Sequence, residues 1–422
     1  MTGVTVSPTE VRETVAAVWR MEAAKIVATL TRAVGEVGRA EDLAQEALVD
    51  ALDQWPRTGV PRNPGAWLTT VAKRKAVDQW RRQGNLDAKY ALLARELADH
   101  VDEAWDPDRI DDDVLRLMFM AAHPVLTQES RVALTLRVVG GLSTDEIAKA
   151  FLVPKATIAQ RIVRAKKALA GVAFEVPDRP EWPHRMSTVL SVIYLIFNEG
   201  YAASTGRHWF REELCAEALR LGRVLTALAP DEAEVHGLVA LMEFQSSRLR
   251  ARVDAEGAPI LLENQDRTRW DRAQIQRGVT ALGAAAQALH RRGSGWGPYA
   301  LQAALAECHA IAPSTADTDW HRIVMLYDAL LGLTNSPVVA LNRAVAVAMA
   351  DPDNGPRAAL DIVDHLVGLG GSPALPGVRA ELLRRLGRHA EAADEFDRAA
   401  ALADNDRERD VLMAKAARAR VG

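Results

Sequence analysis

The chain has 422 residues, 49% of them hydrophobic and 5% aromatic, with a formal charge of −4; that is enough for two or three domains built from helix-favouring Ala, Leu, Arg and Glu. MTGVTVSPTE lacks a basic segment leading into an apolar one, and the longest apolar run, VLSVIYLIF at 189–197, falls far short of the roughly 20 residues a membrane span needs. Cys215 and Cys308 stand far apart without CxxC spacing, so the expectation is a cytoplasmic, all-α protein with free thiols and no membrane partner.

RAEDLAQEALVDALDQWP, at 39–56, has the spacing of an amphipathic helix. Ala44, Leu48, Leu52 and Trp55 are expected on its apolar face, with Asp42, Glu46, Asp50 and Asp53 on another. Such a face is either a solvated helix surface or a docking surface for a basic protein. After the Pro/Gly-rich PRTGVPRNPG, the segment AWLTTVAKRKAVDQWRRQ is expected to pack Trp67, Leu68, Val71 and Ala72 inward. It displays Lys73, Arg74, Lys75, Gln79, Arg81 and Arg82, with Trp67 and Trp80 nearby. Rings among cations suit unstacked bases, or they pack in the core, which is the favoured reading for Trp67, while Trp80 beside Arg81 and Arg82 is open to both.

Charge then alternates along the chain. Residues 57–82 hold seven bases and one acid, 84–113 hold three bases and ten acids, and 114–172 hold nine bases and three acids. Two basic modules flanking an acidic connector point to a polyanion touched at two places. Fully extended, the connector reaches on the order of 100 Å.

In GLSTDEIAKAFLVPKATIAQRIVRAKKAL, at 141–169, Ser143 and Glu146 have the spacing of a capping box that starts a helix. Pro154 interrupts it and is tolerated where the next helix begins. Ile158, Ile162, Ala165 and Leu169 form the apolar stripe of that second helix, leaving Lys155, Thr157, Gln160, Arg161, Arg164 and Lys167 on other faces. Two short helices with a tight turn, the second basic, read as a helix-turn-helix whose second helix enters the major groove. A solvated basic helix face is the plainer alternative.

Residues 180–422 read as helices separated by Pro and Gly breaks. GVRAELLRRLGRHAEAADEFDRAAALADN matches the second half of a tetratricopeptide (TPR) repeat, with Gly387 at the turn and Ala392, Phe396 and Ala399 at packing positions. YLIFNEGY, at 194–201, reads as a buried helix ending at Gly200 or as a contact surface. RRGSGWGPY lacks GK[ST] and reads as a Gly-rich turn opening a helix. The histidines show no ligand spacing, and HExxH and GxSxG are absent, so no enzyme chemistry, metal or cofactor is expected.

The order of these elements carries a resemblance. AEDLAQEALVDALDQWP, NPGAWLTTVAKRKAVDQWRR and GLSTDEIAKAFLVPKATIAQRIVRAKKAL resemble three successive segments of bacterial extracytoplasmic-function sigma factors, over about residues 11–172. The whole chain resembles the subgroup with a C-terminal TPR-like extension. The resemblance implies region 2 at 1–83, an acidic linker at 84–113, region 4 at 114–172 and a regulatory helical extension at 180–422. It implies core RNA polymerase as partner, through the β′ clamp helices and the β subunit, with Asp42, Gln45 and Glu46 docking there. Promoter DNA is the second partner. Trp67, Lys73, Arg74, Lys75, Arg81 and Arg82 would meet the minus-ten element, and Lys155, Thr157, Gln160, Arg161, Arg164 and Lys167 the minus-thirty-five element. Arg74 stands where many relatives carry Asn in a pocket for a flipped-out base, so base preference stays open. The partner of the extension is unknown. A helix-turn-helix regulator that never joins polymerase, and a peptide-gathering scaffold, are the competing readings.

Overall fold

Apolar side chains three and four residues apart form the inner face of the first helix, α1 (Pro8–Val34): Val15, Val18, Trp19, Ala23, Ile26, Val27 and Leu30 are all buried. The computed structural model describes residues 8–82, 107–151, 153–178, 180–201, 212–254, 260, 262–293, 295–403 and 406–421. Side chains at 8–13, 20, 79–82, 107–112, 263 and 406–408 lie outside that description. The described residues are helical, without a strand, and the chain divides into two units, 1–196 and 197–422.

In the first unit, α1 stops at Gly35, whose φ of 75° suits a residue without Cβ. Helix α2 (Val37–Thr58) buries Ala40, Leu43, Ala44, Ala47, Ala51 and Trp55. This corrects the expected apolar face: Leu48 is half-buried, and Leu52 is 40% exposed beside the exposed Val49. The alanines take the core side because they let α1 and α2 approach closely, which larger side chains would prevent. Helix α3 (Pro64–Arg82) starts with Pro64 in its first turn, and Asn63 Oδ1 accepts a hydrogen bond from the Ala66 amide at 3.1 Å. It buries Leu68, Ala72 and Ala76.

Helix α4 (Pro107–Ala121) begins inside the segment read as a linker and packs along α1. Residues 83–106, most of that segment, lie outside the described residues. Fully buried Asp113 is flanked by Arg32 at 3.1 Å and Arg116 at 2.8 Å. Helix α5 (Gln128–Val138) is capped by Thr127, whose Oγ1 accepts from the Ser130 amide. Helices α6 (Thr144–Phe151) and α7 (Lys155–Ala168) follow. The capping box is present: Ser143 N donates to Glu146 Oε2 at 2.8 Å, and Glu146 N to Ser143 Oγ at 3.2 Å. The stripe Ile158, Ile162, Ala165 and Leu169 is buried as the spacing predicts. At the start of α8 (Trp182–Tyr201), Trp182 meets Phe119 edge-on at 5.1 Å.

The second unit contains α9 (Glu212–Leu228), α10 (Ala233–Ser246), α11 (Arg272–Arg292), α12 (Pro298–Ile311), α13 (Trp320–Thr334), α14 (Pro337–Ala350), α15 (Gly355–Asp364), α16 (Ala374–Arg385), α17 (His389–Leu402) and α18 (Asp406–Val421), each packed on the next. Gly387, at φ 73°, makes the turn between α16 and α17, and Ala392, Phe396 and Ala399 are buried. The helix that ends YLIFNEGY runs to Tyr201, whose ring stacks on buried Phe197 at 5.7 Å. The Gly-rich turn does open a helix, α12, and an internal acid occupies its N-terminus. Glu234 accepts from the amides of Tyr299 at 2.8 Å and Ala300 at 3.1 Å. Cys215 and Cys308 are buried and unpaired, and burial pushes the Cys215 thiol up to about 12. No described helix is long and apolar enough to cross a membrane.

Candidate functional site

The acidic surface follows from the turn of α2 that places alanines inward. Asp42 and Glu46 are exposed, Gln45 is half-buried, and Val49 and Leu52 stand exposed beside them. Acids interleaved with uncovered aliphatic side chains make a surface able to hold a protein by charge and by apolar contact.

Helix α3 supplies the neighbouring basic surface. Arg74 is exposed, while Lys73 is half-buried. Lys75 turns toward α2, with Nζ 3.0 Å from Asp50 and 3.7 Å from Glu46, so this predicted base contact is engaged by the acidic helix. Trp67 is half-buried, its ring edge-on to fully buried Trp55 at 5.4 Å; one part of it serves the core and the rest reaches the surface. The side chains of Arg81 and Arg82 lie outside the described residues.

On α7, Lys155, Gln160, Arg164 and Lys167 are exposed, and Thr157 and Arg161 are half-buried. All six lie off the buried stripe, so the helix offers a polar, net-positive face while its apolar side is held by α5 and α6. That is the division of faces a groove-reading helix requires.

The sequence pattern did not disclose a polar clamp that joins the two surfaces. Glu41, beside Asp42 on α2, is buried, and its Oε1 accepts from Arg137 of α5 through Nε at 2.8 Å and Nη2 at 2.7 Å. Its Oε2 accepts from Lys166 Nζ, which also donates to Asp42 Oδ1 at 2.9 Å. Burial works against the Lys166 ammonium, but Glu41 and Asp42 outweigh it and hold its pKa above the ordinary lysine value. A signal was present: Glu41 falls three residues before Ala44, on the buried arc of α2. Lys166 falls between Ile162 and Leu169, on the edge of the α7 stripe. A charge within an apolar arc needs a partner.

Residues 18–85 match the family sigma-70 region 2, and 116–169 match sigma-70 region 4. Residues 185–286 match a family of unknown function, DUF6596. Over 376 residues the chain is 46% identical to the uncharacterized protein R00370 of Rhizobium meliloti (strain 1021), covering 87% of this chain and 86% of that one. Over 136 residues it is 28% identical to two mycobacterial proteins, covering 32% of this chain and 71% of each of them. These are the probable RNA polymerase sigma-C factor of Mycobacterium bovis and the ECF RNA polymerase sigma factor SigC of Mycobacterium tuberculosis. No solved structure matches the chain.

Proposed function

We propose that this chain, which belongs to the same family as the Rhizobium protein R00370 and carries sigma-70 regions 2 and 4 ahead of a helical C-terminal region, is a sigma factor of the extracytoplasmic-function type that directs core RNA polymerase to particular promoters. The observation that carries this is the pair of sigma regions in order, each bearing a surface that fits its role. Helix α2 presents acids with exposed aliphatics, and α7 presents an exposed polar, net-positive face. Asp42, Gln45 and Glu46 dock on the β′ clamp helices. Trp67, Lys73, Arg74, Lys75, Arg81 and Arg82 hold the minus-ten strand. Lys155, Thr157, Gln160, Arg161, Arg164 and Lys167 meet the minus-thirty-five duplex. Lys75 then leaves its α2 acids for phosphate, and Lys166 gives up Asp42 when that acid meets polymerase. Nothing in this role requires covalent chemistry by the chain.

The C-terminal region acts in this reading as a TPR-like extension that modulates or completes the activity. Its stacked helices and the repeat-like turn at Gly387 support that role. Transcription in vitro from fragmented genomic DNA, with core polymerase and the full chain, tests the function. Discrete start sites that need the chain support it. Duplex binding without any start site would transfer the protein to ordinary helix-turn-helix regulators.

A further inference from the structure

The second unit encloses a cavity of about 400 Å³ between α10, α12, α13 and α14, in the range of small-molecule sites. Its wall is apolar at Leu241, Phe244, Leu305 and Leu330. Facing these are Gln245, Arg248, Trp270, His309 and Tyr327. Arg248 is the ionised side chain of the lining. The ring of Tyr201 lies 5.7 Å from its guanidinium carbon, and no carboxylate pairs with it among the described residues. Trp270 is 3% exposed, and its Nε1 donates to nothing among the described residues. Gln245 Oε1 is likewise buried and without a partner among the described residues. Buried polar atoms are rarely left unpaired, and both residues that carry these two line the cavity.

The remaining polar groups are uncharged. Burial, then Arg248 and Arg267, drive the His309 imidazole down to about 4, and burial raises the Tyr327 phenol. Neutral imidazole and phenol can each give or take a hydrogen bond without adding charge.

We infer that this cavity binds a small organic carboxylate with an apolar body: Arg248 pairs with the carboxylate, Trp270 Nε1 donates to one of its oxygens, Gln245 Oε1 accepts from a hydroxyl or amine on a ligand that carries one, and the wall formed by Leu241, Phe244, Leu305 and Leu330 covers the hydrocarbon. One guanidinium without a carboxylate partner among the described residues matches one carboxylate in charge and in planar, two-pronged geometry. The inference is independent of the promoter reading, because binding is measured on the chain alone.

The test is calorimetric titration of the full chain with hexanoate, benzoate and 3-phenylpropionate, each paired with its neutral amide. At least one acid is expected to bind saturably and at least about tenfold more tightly than its amide. Arg248→Met should weaken that acid by ten- to a hundredfold, the range for losing a charge-assisted hydrogen bond. Trp270→Phe should weaken it severalfold, and Arg250→Met, at an exposed position outside this cavity, should leave it unchanged. No binding by any acid, equal binding of acid and amide, or unchanged affinity in a folded Arg248→Met chain would overturn the site. If Arg248→Met fails to fold, the acid-against-amide comparison on the unaltered chain decides.

Discussion

Glu41 and Lys166, 125 positions apart, are joined as an ion pair whose side chains are 4% and 19% exposed. Arg137 completes the clamp from α5. The clamp ties the helix that bears the acids proposed to dock to the helix that bears the bases proposed to face the groove, so the two sigma regions share a polar seam as well as the α1–α4 packing.

Removing the carboxylate from that seam strands two partly buried cations. Glu41→Ala is expected to destabilise the first unit by roughly 3 kcal/mol, the lower end of what breaking a buried pair costs. Urea unfolding of the full chain checks this, and an unchanged first transition would show the clamp to be energetically idle.

Asp42 is expected to behave differently. Its side chain is 70% exposed, and its contact with Lys166 is of the surface kind that contributes little. Asp42→Lys should leave the fold and the unfolding midpoint nearly unchanged while abolishing association with core polymerase. Undiminished binding by the variant would remove Asp42 from the docking surface.

Arg161 distinguishes a base contact from a phosphate contact. If it reads a base edge with two hydrogen bonds, Arg161→Ala loses about 1–3 kcal/mol at one upstream base pair and relaxes selectivity there. A uniform loss on every promoter variant, with a shallower salt dependence, assigns it to the phosphates.

His309 gives the second unit an acid-side sensitivity. Its pKa falls from an ordinary 6.5 to about 4 on folding, first through burial and then through Arg248 and Arg267. The unfolded chain therefore binds the proton more readily, and this group costs nothing above about pH 6.5. As pH falls from there to about 4 it withdraws about 3 kcal/mol, and below that the loss is constant. Stability measured against pH in the unaltered chain and in His309→Gln should differ in that window; parallel curves would contradict the assignment.

Local chemistry was legible in the sequence where it acts within a few residues. The Ser143–Glu146 capping box, the stripe from Ile158 to Leu169 and the turn at Gly387 all rest on contacts inside one or two helical turns. The apolar face of α2 was misread because large side chains were weighted over small ones. Ala40, Ala47 and Ala51 fill the interface with α1, and Leu52 is left partly exposed. Periodicity marks Glu41 as a charge in need of a partner but does not name that partner: its partners come from α5 and α7, and local periodicity carries no record of which distant helix supplies a counter-charge. Lys75 shows the same limit, since its acids sit on a different helix.

Co-elution of the full chain with bacterial core RNA polymerase, followed by binding of a promoter found by transcription, bears hardest on the sigma-factor reading. One chain per polymerase is expected, lost on Asp42→Lys, with promoter recognition only by the assembled complex. Tight, sequence-specific binding of duplex DNA by the free chain, with no association with polymerase, would contradict that reading.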